Sequence, residues 1–133
     1  VKELYQMVSS EIDCTKCANC CRIVSPELDE EDIIRLSESL RMPEDLFREE
    51  YLVKENDPHL LYFKDVPCPF LDGDLCSHYD ARPKDCREFP HLHKGISNGR
   101  RLGMIDNSSL CPIVFNVLEM LKEEVWHRGR NYY

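Results

Sequence analysis

The sequence predicts a mainly helical fold with a small strand-and-loop cysteine-rich metal centre, an irregular α+β arrangement within one domain spanning residues 1–133. Three observations predict it. Apolar residues recur at helical spacing in the stretches 1–12, 30–42, 44–53 and 112–127. Residues 59–80 read instead as short strands around a turn. Eight cysteines, at 14, 17, 20, 21, 68, 76, 86 and 111, fall at bends and element ends. A chain of 133 residues is of single-domain size.

In order along the chain, Val1, Leu4, Tyr5, Val8 and Ile12 form the stripe of a first amphipathic helix that runs into the cysteine cluster, itself expected to be loop. Asp29-Glu30-Glu31-Asp32 puts acidic residues where a helix N-terminus favours them, and Ile33, Ile34, Leu36 and Leu40 carry that helix forward to Pro43. Pro43-Glu44-Asp45 opens another helix, with Leu46, Phe47, Tyr51 and Leu52 on its buried side, which Asn56-Asp57-Pro58 ends. The Leu60–Phe63 run, and Leu75–Tyr79 after Asp72-Gly73-Asp74, supply the strands. From Ala81 to Gly99, prolines and glycines predict irregular backbone that needs another source of support. Leu102–Ile105 reads as a strand. Cys111-Pro112 then opens the last helix, whose stripe is Val114, Val117, Leu118, Leu121 and Val125, expected to pack on the helices at 30–42 and 44–53.

Composition narrows the function. The formal net charge is −8, and binding to phosphate backbones requires clustered Lys and Arg, so neither nucleic acid nor an anionic membrane is an expected partner. Arg100-Arg101 and the Arg128/Arg130 tail interrupt the acidic balance and read as solvated surface. No apolar run approaches the roughly 20 residues of a membrane span. Lys2, Glu3, Gln6 and Glu11 break up the N-terminus, which therefore lacks the apolar core of a secretory signal, and a cytoplasmic protein is expected.

The cysteine spacing carries the chemistry. Cys14-Thr-Lys-Cys17-Ala-Asn-Cys20-Cys21 places four sulfurs in eight residues. Such close neighbours make awkward disulfide partners, because the bridge requires a particular Cα separation and dihedral angle. They make natural metal ligands, since a C-x2-C turn directs two thiolates at one ion. Cys68 lies between Pro67 and Pro69, Cys76 follows a glycine turn, Cys86 follows Arg82-Pro83-Lys84-Asp85, and Cys111 precedes Pro112. At such bends a side chain reaches a shared ion without disturbing a helix or a strand ladder.

These residues resemble the CxxCxxCC cysteine-cluster family of zinc- or iron-chelating domains. The matching pieces are Cys14–Cys21, Cys68-Pro-Phe-Leu71, Gly73-Asp-Leu-Cys-Ser-His-Tyr79 and Ala81-Arg-Pro-Lys-Asp-Cys-Arg-Glu-Phe-Pro90. The resemblance spans 14–90, extends toward Cys111, and includes all eight cysteines of the family pattern. It implies metal chelation. Some relatives resemble the enzyme that methylates flagellin lysines, so an iron-dependent redox or group-transfer enzyme is the alternative reading; the chain has no Gly-rich nucleotide-binding loop, and methyl transfer is not carried over.

Thiolates suit zinc and iron–sulfur clusters alike. Cys14, Cys17 and Cys20 have the spacing to wrap a cubane, with Cys68-Pro69 or Cys111-Pro112 as the remote ligand, while eight thiolates also suffice for two closed zinc sites. His78, His91 or His93 could complete a site of three cysteines and one histidine. Arg82 and Arg87 flank Cys86 and could offset thiolate charge or fork onto Asp80 or Asp85. Tyr79 and Phe89 read as core. The expected function is metal binding, structural or metal-handling, through at least six of the eight cysteines. A thiol–disulfide role for Cys20-Cys21 or a C-x2-C pair would require a thiol with a depressed pKa and solvent access.

Overall fold

A computed structural model describes residues 1–54, 61–95 and 97–130. It is 63% helical with small antiparallel sheets, as the sequence predicts. The chain forms two compact units, Val1–Cys14 with Pro90–Tyr133, and Thr15–Phe89.

In the Thr15–Phe89 unit, the cysteine cluster is helical where loop was expected: helix α2 spans Asn19–Ile23. The turn into it is made by Ala18, in the left-handed region at φ 53 and 5% exposed. A left-handed non-glycine residue costs roughly 1–2 kcal/mol, and the small Ala18 side chain fits this buried corner. Strand β1 (Glu27–Leu28) leads to α3 (Glu30–Leu40), which begins with a full capping box: Asp29 accepts from the Asp32 N–H and Asp32 from the Asp29 N–H. Helix α3 ends at Arg41, in the left-handed conformation at φ 55, where the Arg41 and Met42 N–H groups bond back to the last turn.

Helix α4 (Glu44–Tyr51) stops short of the expected end, because Leu52–Lys54 joins a sheet as β2. Phe47 is fully buried and Leu52 buried, whereas Leu46, expected on the same side, is exposed. The predicted break at Asn56-Asp57-Pro58 lies outside the described residues. Strand β3 (Leu61–Phe63) is central, pairing antiparallel with β1 and β2 through Glu27↔Tyr62 and Val53↔Tyr62. Strands β4 (Leu71–Asp72) and β5 (Leu75–Cys76) form a hairpin around Gly73, at φ 62. The segment expected to be irregular contains the short helix α5 (Lys84–Glu88). The core of this unit is Leu28, Ile33, Leu36, Phe47, Leu52, Leu61, Phe63 and Phe70, with Cys68 and Cys76 packed against it.

In the other unit, α1 (Lys2–Glu11) buries Leu4 and Val8. The strand expected at 102–105 is helix α6 (Arg101–Ser108), in which Met104 is buried while Leu102 and Ile105 are exposed. Helix α7 (Pro112–Arg130) follows as predicted and buries Ile113, Val114 and Val117, but Val125 is exposed. Its stripe packs on α1 and α6, in the place where the helices at 30–42 and 44–53 were expected. Among the described residues no helix is long and apolar enough to cross a membrane.

Candidate metal centre

Five of the eight predicted cysteines meet within the Thr15–Phe89 unit. Cys20 and Cys21 come from α2, Cys68 from the turn after β3, Cys76 from the end of β5 and Cys86 from α5. Their thiols lie close enough to perturb one another: Cys21 acts on Cys20, Cys68, Cys76 and Cys86, and Cys68 and Cys76 on Cys86. The Cys68 N–H donates to the Cys21 carbonyl at 2.7 Å, which ties the turn after β3 to α2.

Each thiol has a distinct environment. The Cys20 thiol donates a hydrogen bond to Cys21, so Cys20 retains its proton while the Cys21 pKa falls to about 6, helped by Arg22 and Arg82. Burial is the main cause raising Cys68 and Cys76. It is opposed at Cys68 by N–H groups of Phe70 and Leu71 and at Cys76 by the N–H of His78, which bond to sulfur. Burial also pushes Cys86 up to about 12, with the neighbouring thiols adding to it. Four of the five thiols are thus raised and Cys21 alone is lowered, and the proximity of the thiols adds to the effect of burial because ionisation of one disfavours the next.

Two arginines serve this cluster. Arg22 donates to the Cys17 carbonyl at 2.9 Å and pairs with Asp74, linking the Cys17 turn to the β4–β5 hairpin. Arg82 lies over the Tyr79 ring, 3.6 Å from its centroid, and lowers Cys21 and Cys76. Arg82 thus has the charge-offsetting role anticipated for it, and Asp85 accepts from the Glu27 N–H at 3.1 Å. Arg87 is exposed.

Sequence reasoning missed the support for Cys86. Asp32 is 2% exposed and its Oδ1 accepts from the Lys84 N–H at 3.0 Å, at the start of α5, and from Arg35 at 2.5 Å. Arg35 also donates to the Arg82 carbonyl at 2.9 Å. The Asp29-x-x-Asp32 spacing signals the capping box, but nothing local signals that the same carboxylate also holds a segment 52 residues away.

Cys17 is half-buried on the turn before Ala18. In the other unit, Cys14 is exposed, Cys111 is buried, and both act on Tyr5, whose hydroxyl is raised first by burial and then by these two thiols. His78 is half-buried; its Nδ1 is 2.7 Å from Ser39 Oγ and its ring meets Phe70 edge-on. His91 is half-buried and His93 exposed, both in the unit that holds Cys14 and Cys111. None of the eight cysteines is in a disulfide.

Among the described residues no group of three or more His, Cys, Asp or Glu side chains is placed to hold a metal ion. Five thiols nevertheless come from four chain segments, with N–H groups directed at Cys68 and Cys76 and two guanidinium groups acting on Cys21. Amide donors to sulfur and nearby cations stabilise the anionic charge that a thiolate–metal centre carries. No curated protein and no solved structure matches the chain. The family model CxxCxxCC, described as "Putative zinc- or iron-chelating domain", matches residues 13–112, from beside Cys14 to just past Cys111, and by that match over three quarters of its length the chain belongs to the CxxCxxCC family.

Proposed function

We propose that this chain holds zinc or iron through its cysteines, with Cys20, Cys21, Cys68, Cys76 and Cys86 as the anchoring donors, Cys17 beside them, and Cys14 and Cys111 as the donors of the other unit. The observation that carries the reading is the convergence of five thiols from four separate segments. Each thiolate formed opposes the next, and a bound cation would offset that charge. Ligation of an ion by these thiols would contribute to folding free energy. The role is structural or metal-handling, with all of 1–133 acting as one domain. A cytoplasmic setting goes with it, because reducing conditions keep thiolates available.

The test is anaerobic purification followed by elemental analysis and a visible spectrum. Near-integral zinc without colour assigns zinc; iron with sulfur-to-iron charge-transfer absorption assigns an iron centre. Cys21→Ser, Cys68→Ser and Cys86→Ser should each lower the metal content. A chain that carries no metal and takes up neither ion on reconstitution would refute the proposal.

A further inference from the structure

The unit that contains α1, α6 and α7 has a cavity of about 220 Å³ that the cysteine chemistry does not use. His91, Arg100 and Asn107 supply its polar lining, and Leu92 and Met104, 4% and 6% exposed, its apolar part. No acidic residue lines it, in a chain whose net charge is −8. Among the described residues the Arg100 guanidinium has no hydrogen bond or ion pair. Arg100 and Arg101 are exposed, as the solvated-surface reading expects, and Arg100 also lines this cavity.

Two backbone features mark the cavity. His91 adopts φ 64 and ψ 13, in the left-handed region that non-glycine residues rarely occupy, and strain of this kind concentrates at ligand sites. Gly99 and Gly103 also line the cavity, and a Cβ at either would meet nothing within 4 Å. Neither has a positive φ, so neither the backbone nor a close neighbour requires glycine. Gly103 lies within α6, where alanine would be the more stable residue. The space its missing side chain leaves belongs to the cavity.

We propose that this cavity is a binding site for a small organic anion, with the anionic head on Arg100 and a short apolar body on Leu92 and Met104. A guanidinium beside an amide and an imidazole is suited to carboxylate or phosphate oxygens, and the volume restricts the ligand to a few carbons. The site is independent of the metal reading.

The experiment is an amide chemical-shift titration of the full chain with butyrate, butyl phosphate and butylamine, which share a body and differ in the head group. Saturable shifts at residues 90–107 with either anion, and none with butylamine, are expected; the tighter anion distinguishes a carboxylate ligand from a phosphate ester. Arg100→Gln should weaken binding at least tenfold. Gly103→Ala should do the same while leaving the thermal midpoint unchanged or higher, which separates loss of the site from loss of the fold. The proposal is overturned if no anion saturates these residues, if butylamine binds as well, or if both variants bind like the parent.

Discussion

Asp32→Ala is the perturbation whose size follows most directly from the structure. The carboxylate accepts from the Asp29 N–H at 3.1 Å, the Lys84 N–H at 3.0 Å and Arg35 at 2.5 Å, and it is 2% exposed. Alanine leaves two backbone donors without an acceptor at about 1–2 kcal/mol each. Arg35 is one-third exposed and regains water, so its lost pair adds only about 1 kcal/mol. The expected destabilisation is therefore about 3–5 kcal/mol. Asn, which keeps one acceptor oxygen, should fall between alanine and the parent. Because Lys84 opens the helix that carries Cys86, metal affinity should fall with stability. Urea unfolding followed by circular dichroism, with chelator competition for affinity, measures both quantities. A change of under about 1 kcal/mol, with metal affinity unaltered, would show that Asp32 does not hold α5 and that the assigned hydrogen bonds carry no weight.

Three further outcomes are expected. Arg41→Gly relieves a left-handed residue at the end of α3, φ 55 and exposed, and should raise unfolding free energy by about 1 kcal/mol in the same urea experiment. In the reduced, metal-free chain the first thiolate should titrate near pH 6, seen as ultraviolet thiolate absorbance and loss of that signal on alkylating Cys21; Arg82→Gln should move it upward. The sign follows from a folded pKa below the ordinary 9.0: Cys21 contributes stability that is full above that value and is lost as pH falls through about 6. Metal removal by a chelator should reduce amide-exchange protection across residues 15–89, most strongly around Cys68, Cys76 and Cys86, and unchanged protection in a verified metal-free sample would contradict a structural role for the ion.

Sequence periodicity located α1, α3, α4 and α7 because an amphipathic stripe is a local pattern of one residue in three or four. It misassigned Leu102–Ile105, a window too short for its period to be read, where an exposed Leu102 and Ile105 flank a single buried Met104. It placed Leu46 and Val125 on buried faces although both are exposed, since the width of a buried face is set by the neighbouring element. The α2 helix inside the cysteine cluster escaped prediction because five residues give no periodic signal and because its entry depends on Ala18 taking a left-handed conformation.

By itself the sequence determined the donor chemistry, the family and the four long amphipathic helices, all of which are written in residues near one another along the chain. The tertiary structure alone decided which sulfurs meet. It brought Cys20 and Cys21 to Cys68, Cys76 and Cys86, put Cys14 and Cys111 beside Tyr5, and turned Asp32 from a helix cap into the support of α5. These contacts close loops of tens of residues, and the free energy that closes them comes from burying Phe47, Phe63, Phe70 and their neighbours. A hydrophobic core is non-directional and leaves no motif to name the pairs it brings together.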